Sequence, residues 1–88
     1  MNDYTMEEIR RALRKAAKLL GNAGDKLHIA EGQLNLIVAS LPSPTTDAEK
    51  ATYNFAKISA KICTSAKNLC NYITSSLYNF DRFLKEHD

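Results

Sequence analysis

Small or apolar residues recur at Met6, Ile9, Leu13, Ala16, Leu20, Ala23, Leu27, Ala30, Leu34, Ile37 and Leu41, alternately three and four apart. A 3.5-residue period kept over five heptads predicts one long helix laying a narrow stripe against another, as in a coiled coil. Pro42 and Pro44 stop it. A second pattern follows, with Phe55, Ile58, Ile62, Ala66, Leu69, Ile73, Leu77, Phe80 and Leu84 at a period near 3.6, and a row of Ala56, Ala60, Cys63 and Cys70 beside it. The expected fold is all-α: an antiparallel two-helix hairpin over about 5–41 and 45–86, forming one domain over 1–88.

Thr5 with Glu8, and Thr46 with Glu49, have the spacing of a capping box and mark the two helix starts. Glu7 and Glu8 also suit the positive end of the first helix dipole. Between the helices, Leu41-Pro42-Ser43-Pro44-Thr45 is short enough to keep them adjacent. The run Gly21-Asn22-Ala23-Gly24-Asp25 offers an alternative, a three-helix bundle with a break at 21–25. The alternation passes from Leu20 through Ala23 to Leu27 without a phase shift, which favours one continuous helix. A hairpin centred near Pro44 sets residue i opposite 88 − i, with the small patch Ala16, Ala17, Gly21 and Gly24 against 68–72 and Tyr72 lying over it. Ile9, Leu13, Leu20, Leu27, Leu34 and Ile37 are then expected to hold the hairpin together.

The apolar surface of the second helix is wider than one neighbouring helix covers. A second copy completing a four-helix bundle by dimerisation is the simplest cover, and a different helical protein the next. No acidic residue falls between Glu49 and Asp81, where Asn, Ser and Thr supply neutral polarity bordered by Tyr53, Tyr72 and Tyr78. Such a surface suits docking better than the Glu/Lys pairs of a free-standing helix. Ala60, Cys63, Cys70, Tyr72 and Tyr78 are therefore the candidate partner contacts.

Composition narrows the function classes. A single core built from 88 residues is marginal unless it is very regular or completed by another chain. No stretch approaches the ~20 apolar residues of a membrane span, and the acidic amino-terminal segment around Asp3, Glu7 and Glu8 lacks the basic region of a signal peptide. The expected location is cytoplasmic, or outside by a route that needs no signal peptide. Twelve Lys and Arg against ten Asp and Glu leave a charge of +2, which demands no particular partner.

No catalytic constellation forms, so the chain reads as a non-enzyme that needs no cofactor, metal or small molecule. Cys63 and Cys70 lie on one helix roughly 10 Å apart in rise, too far to bridge each other. His28 with Glu31 one turn on makes only half a metal site. The strongest nucleic-acid signal is Arg10, Arg11, Arg14, Lys15 and Lys18, all outside the predicted seam and thus free to meet an anionic partner. Neither a recognition-helix motif nor a glycine-rich phosphate loop accompanies it.

In outline the chain resembles the Trp-X-Gly class of small helical hairpins of type VII secretion. Its turn reads Leu41-Pro42-Ser43-Pro44-Thr45 in place of Trp-X-Gly, and the chain has no tryptophan. The nearest equivalents of that class's aromatic-to-acid export signal are Leu84 with Asp88 and Phe83 with Asp88. The resemblance implies a secretion substrate or its chaperone-like partner. The expected function is a non-enzymatic helical interaction module acting as a homo- or hetero-oligomeric partner. The alternatives are a small mobile-element or phage-type inhibitor of a host factor and a basic helical nucleic-acid-binding protein.

Overall fold

A computed structural model of the chain describes residues 5–87. The remaining five residues, including the Asp88 of the export-signal comparison, lie outside the described residues. Two helices, α1 (Met6–Ser40) and α2 (Asp47–His87), pack against each other as an antiparallel hairpin. α1 runs through Gly21 and Gly24 without a break, and no glycine has a positive φ. The three-helix alternative is thereby excluded.

The caps form where the sequence places them. The Glu8 amide donates to Thr5 Oγ1 at 3.2 Å, while the Thr5 hydroxyl donates to Glu8 Oε1 at 3.3 Å. At the second start the box is reciprocal: the Glu49 amide donates to Thr46 Oγ1 at 3.1 Å, and the Thr46 amide donates to Glu49 Oε1 at 3.0 Å. Capping of this kind contributes about 1 kcal/mol per helix.

The register differs from the expected one. Gly21 lies against Thr74, Gly24 against Asn71, Glu31 against Thr64 and Arg14 against Asp81, so facing residues sum to 95 and not to 88. The slip is one heptad, about 10 Å of rise. Charge favours the observed register, because the expected one sets Asp81 level with Glu7, carboxylate beside carboxylate. In the observed register Asp81 Oδ1 accepts from Arg10 Nε at 3.0 Å and from Arg14 Nη1 at 3.2 Å.

The seam differs as well. It keeps the leucine column Leu13, Leu20, Leu27, Leu34 and Leu41, but its second column is Arg10, Ala17, Gly24, Glu31 and Val38. Ile9 and Ile37, expected to hold the hairpin, are exposed. On α2 the seam is Tyr53, Ala56, Ala60, Cys63, Lys67, Cys70, Thr74, Leu77, Asp81 and Leu84, so the small-residue row faces α1 and most of the large apolar row does not. Among the described residues, Ala17, Ala56 and Ala60 are the buried apolar side chains, joined by Gly24, and no large side chain is fully enclosed. Small residues let two backbones approach closely; isoleucine and phenylalanine in the same columns would hold them apart.

Two glycines illustrate the difference between seam and surface. A methyl group added at Gly24 would lie 3.0 Å from Asn71 Oδ1 and 3.6 Å from Cys70 Cβ, whereas at Gly32 it would meet nothing within 4 Å. Tyr72 is not the residue over this patch; it is 72% exposed, and Cys70, Asn71 and Thr74 stand there instead. Gly32→Ala should therefore stabilise the hairpin by about 0.5–1 kcal/mol through helix propensity alone. Gly24→Ala should gain less, because Asn71 must move aside. Urea midpoints of the two variants measure the contrast.

Candidate functional site

The seam divides the hairpin into two faces. On one side, Arg14, Gly21 and His28 of α1 reach Asp81, Thr74 and Lys67, and Gly24 and Glu31 meet Asn71 and Thr64. That side carries Arg11, Lys18, Lys57, Lys61, Asn68, Asn71 and Ser75 and is polar. In an antiparallel pair the opposite flanks of both helices lie on the other face, which here holds Ile9, Ala16, Ala23, Ala30 and Ile37 from α1, and Ala66, Ile73 and Phe80 from α2. Further out on the same face stand Ala12 and Leu19 of α1 and Phe55, Ile62, Leu69 and Phe83 of α2.

Phe55, Ile62 and Leu69 are each more than 60% exposed. A scattered apolar residue on a surface needs no explanation, but a contiguous apolar row along two helices marks a contact surface. At its α1 edge lies an open groove of about 560 Å³ lined by α1 alone, with Ile9, Ala12, Leu13 and Ala16 as apolar walls and Glu8, Arg11 and Lys15 at its rim. On the α2 half of the face, Phe80 and Phe83 stack with ring centroids 5.9 Å apart.

The candidate partner contacts named from the sequence do not assemble on this face. Ala60 is buried against α1, and Cys63 and Cys70 are half-buried in the same seam. Tyr78 is exposed on the polar flank and Tyr72 on the outer edge of α2. The residues that do form the face were legible as the large apolar stripe of α2, assigned by its period to the wrong contact.

The basic run is also split. Arg10 and Arg14, expected to face outward, bind Asp81, and both also approach Glu7 at 3.7 Å. Arg11, Lys15 and Lys18 remain exposed. The Asp81 cluster sits at the open end of the hairpin, and a second polar cluster sits near its middle, where the Thr64 hydroxyl donates to Glu31 and Lys67 Nζ lies 3.5 Å from Glu31 Oε1. Lys67 Nζ is also 3.4 Å from His28 Nδ1, so the cation beside the His28–Glu31 pair is the protein's own ammonium. Among the described residues no group of three or more metal-ligating side chains occurs, and no helix is long and apolar enough to cross a membrane.

No family model matches this chain, and neither a curated protein nor a solved structure matches it. Geometry and charge alone bear on its function.

Two carboxylates have displaced acidities. The Thr64 hydroxyl, aided by the Lys67 charge and opposed by partial burial, holds Glu31 below its ordinary 4.5. Amide and hydroxyl donors from Thr46, then Thr45, do the same for Glu49. A folded-state pKa below the unfolded value adds stability above the unfolded value, lost as pH falls through the folded one. The urea midpoint should thus stay level from neutral pH to about 5 and decline below 4.5. A Glu31→Gln, Glu49→Gln double variant should show a shallower decline.

Proposed function

We propose that this protein is a non-catalytic helical interaction module whose apolar face is covered by the helices of a protein partner. One observation supports the reading above all: the hairpin fully encloses three alanines and a glycine, its seam leucines are only half-buried, and Phe55, Ile62, Leu69 and Phe80 stand exposed. Apolar burial stabilises by roughly 25 cal/mol per Å², and the interior of the lone hairpin supplies little of it. The accessible surface is 6652 Å², against about 5,200 Å² for a compact monomer of this mass. The missing burial is what a partner provides. The exposed polar face, with its Asn, Ser, Thr and Lys residues, remains in water.

A photo-crosslinking amino acid at Leu69, on the apolar face, tests this against one at Asn68 on the polar face, in living cells that produce the protein. Leu69 should give a discrete protein adduct and Asn68 none. Absence of any adduct from Leu69, or equal labelling from both positions, would overturn the reading.

A further inference from the structure

The apolar face has a shape that suits its own copy. We infer that the occupant is a second molecule of this chain, related by a two-fold axis parallel to the helices, giving a four-helix bundle with both turns at the same end. The inference rests on the interaction-surface reading above and names its partner.

Symmetry supplies the argument. Rotation about an axis parallel to the helices leaves every residue at its own height, so α1 of one copy must meet α2 of the other at the level those helices share within one hairpin. Those levels are given by pairs summing to 95, within one residue. On the apolar face they set Ala12 level with Phe83, Ala16 with Phe80, Ala23 with Ile73, Leu19 with Ser76, Ile37 with Ser59 and Ser40 with Phe55. In these six a large side chain meets a small one, whereas Ala30 with Ala66 is small on small and Gln33 with Ile62, Lys26 with Leu69 and Ile9 with His87 are large on large. The groove of Ile9, Ala12, Leu13 and Ala16, rimmed by Glu8, Arg11 and Lys15, stands at the height of the stacked Phe80 and Phe83, yet no residue of its own α2 lines it. The same rotation brings the partner copy's phenyl pair over that groove.

The alternative two-fold axis, perpendicular to the helices within the plane of the hairpin, sets α1 on α1 and α2 on α2. It brings alanine rows to alanine rows and Phe/Ile rows to Phe/Ile rows, which leaves gaps on one side and overpacking on the other. Area and charge agree with a copy. The face runs along the 62 Å length of the hairpin, long enough to reach the ~800 Å² per partner of a stable interface. Its central columns carry no charged side chain, so two copies meet without burying like charges. Lys26, level with Leu69 at the margin, keeps its ammonium in water while its stem covers the leucine.

Mixing experiments separate this dimer from other arrangements. The full chain should sediment at micromolar concentration as a species twice its 9.8 kDa mass. Ala16→Phe alone and Phe80→Ala alone should each weaken self-association at least about tenfold with helicity unchanged, one by overpacking and one by a cavity. An equimolar mixture of the two variants should recover the dimer, because in the mixed pair the added ring meets the vacated site. Nitroxide labels on Ser43→Cys, in a Cys63→Ala, Cys70→Ala background, should report the two turns close together, not separated by the 62 Å length of the hairpin. A monomer at ~100 µM, a dimer whose variant mixture gains nothing, or turns at opposite ends would each overturn the inference. A monomer whose Leu69 crosslinks in cells to a different protein, or that binds lipid vesicles, would overturn the second copy; the crosslink leaves the interaction surface standing, and vesicle binding without any protein adduct removes both.

Discussion

Replacing Ala17 with leucine should destabilise the hairpin by about 2 kcal/mol, within the 1–3 kcal/mol typical of an overpacked core. Ala17 is 0% exposed and lies in the column that sets the distance between the helices. Three added carbons there must push α2 away or adopt a strained rotamer. Separation would loosen the contacts of Gly24, Ala56 and Ala60, which depend on the same spacing. The thermal midpoint should drop by roughly 8–16 °C, given about 4–8 °C per kcal/mol in a domain of this size. Ala39→Leu, at an exposed position of α1, is the control and should stay within about 0.5 kcal/mol. Equal shifts at the two positions would mean that close approach does not hold the hairpin.

Asp81→Ala should cost about 1–3 kcal/mol, because it leaves two arginines side by side without their shared carboxylate. Asp81 is 8% exposed, and the Arg10 side chain is 17% exposed, so water compensates only in part. Arg14 at 38% is better hydrated and places the expected value below that of a fully buried pair. Urea titration in low salt measures the loss, and 1 M NaCl should narrow it by screening the arginine–arginine repulsion. A variant as stable as the parent would assign the cluster no role in register. The carboxylate matters for register because a slip by one heptad sets Asp81 beside Glu7.

Much of the fold is legible in the sequence alone. Thr5, Thr46, Pro42 and Pro44 mark helix ends through local hydrogen bonding and backbone geometry, which need no knowledge of a partner. The unbroken alternation from Leu20 to Leu27 argued correctly for a single helix through Gly21 and Gly24. The face of each helix was less legible. A column displaced by one position has the same seven-residue repeat, so Ile9, Ala16 and Ala23 were indistinguishable by period from Arg10, Ala17 and Gly24. For that column hydrophobicity pointed to the wrong set, because beside the leucines the seam takes small side chains and paired charges. The long-range clue was the lone Asp81, with the next acid toward the turn at Glu49 and a cluster of arginines at the far end of α1. Its cost of burial requires a cation opposite it, and the observed register supplies two.

Three of the contact candidates lie in the hairpin's own seam for the same reason. Ala60, Cys63 and Cys70 were legible as an apolar row, yet which apolar row meets α1 is a question of interhelical distance. Phe55, Ile62, Leu69 and Phe80 lie on the exposed face, and Ala56, Ala60, Cys63 and Cys70 take the seam beside Leu77 and Leu84.

By itself the sequence determined two long helices, their ends and their antiparallel return, because capping, proline placement and periodicity act within a few residues. The tertiary structure decided the register, the small-residue seam and the identity of the uncovered face, because these depend on how closely two backbones approach and on which charge stands across the gap.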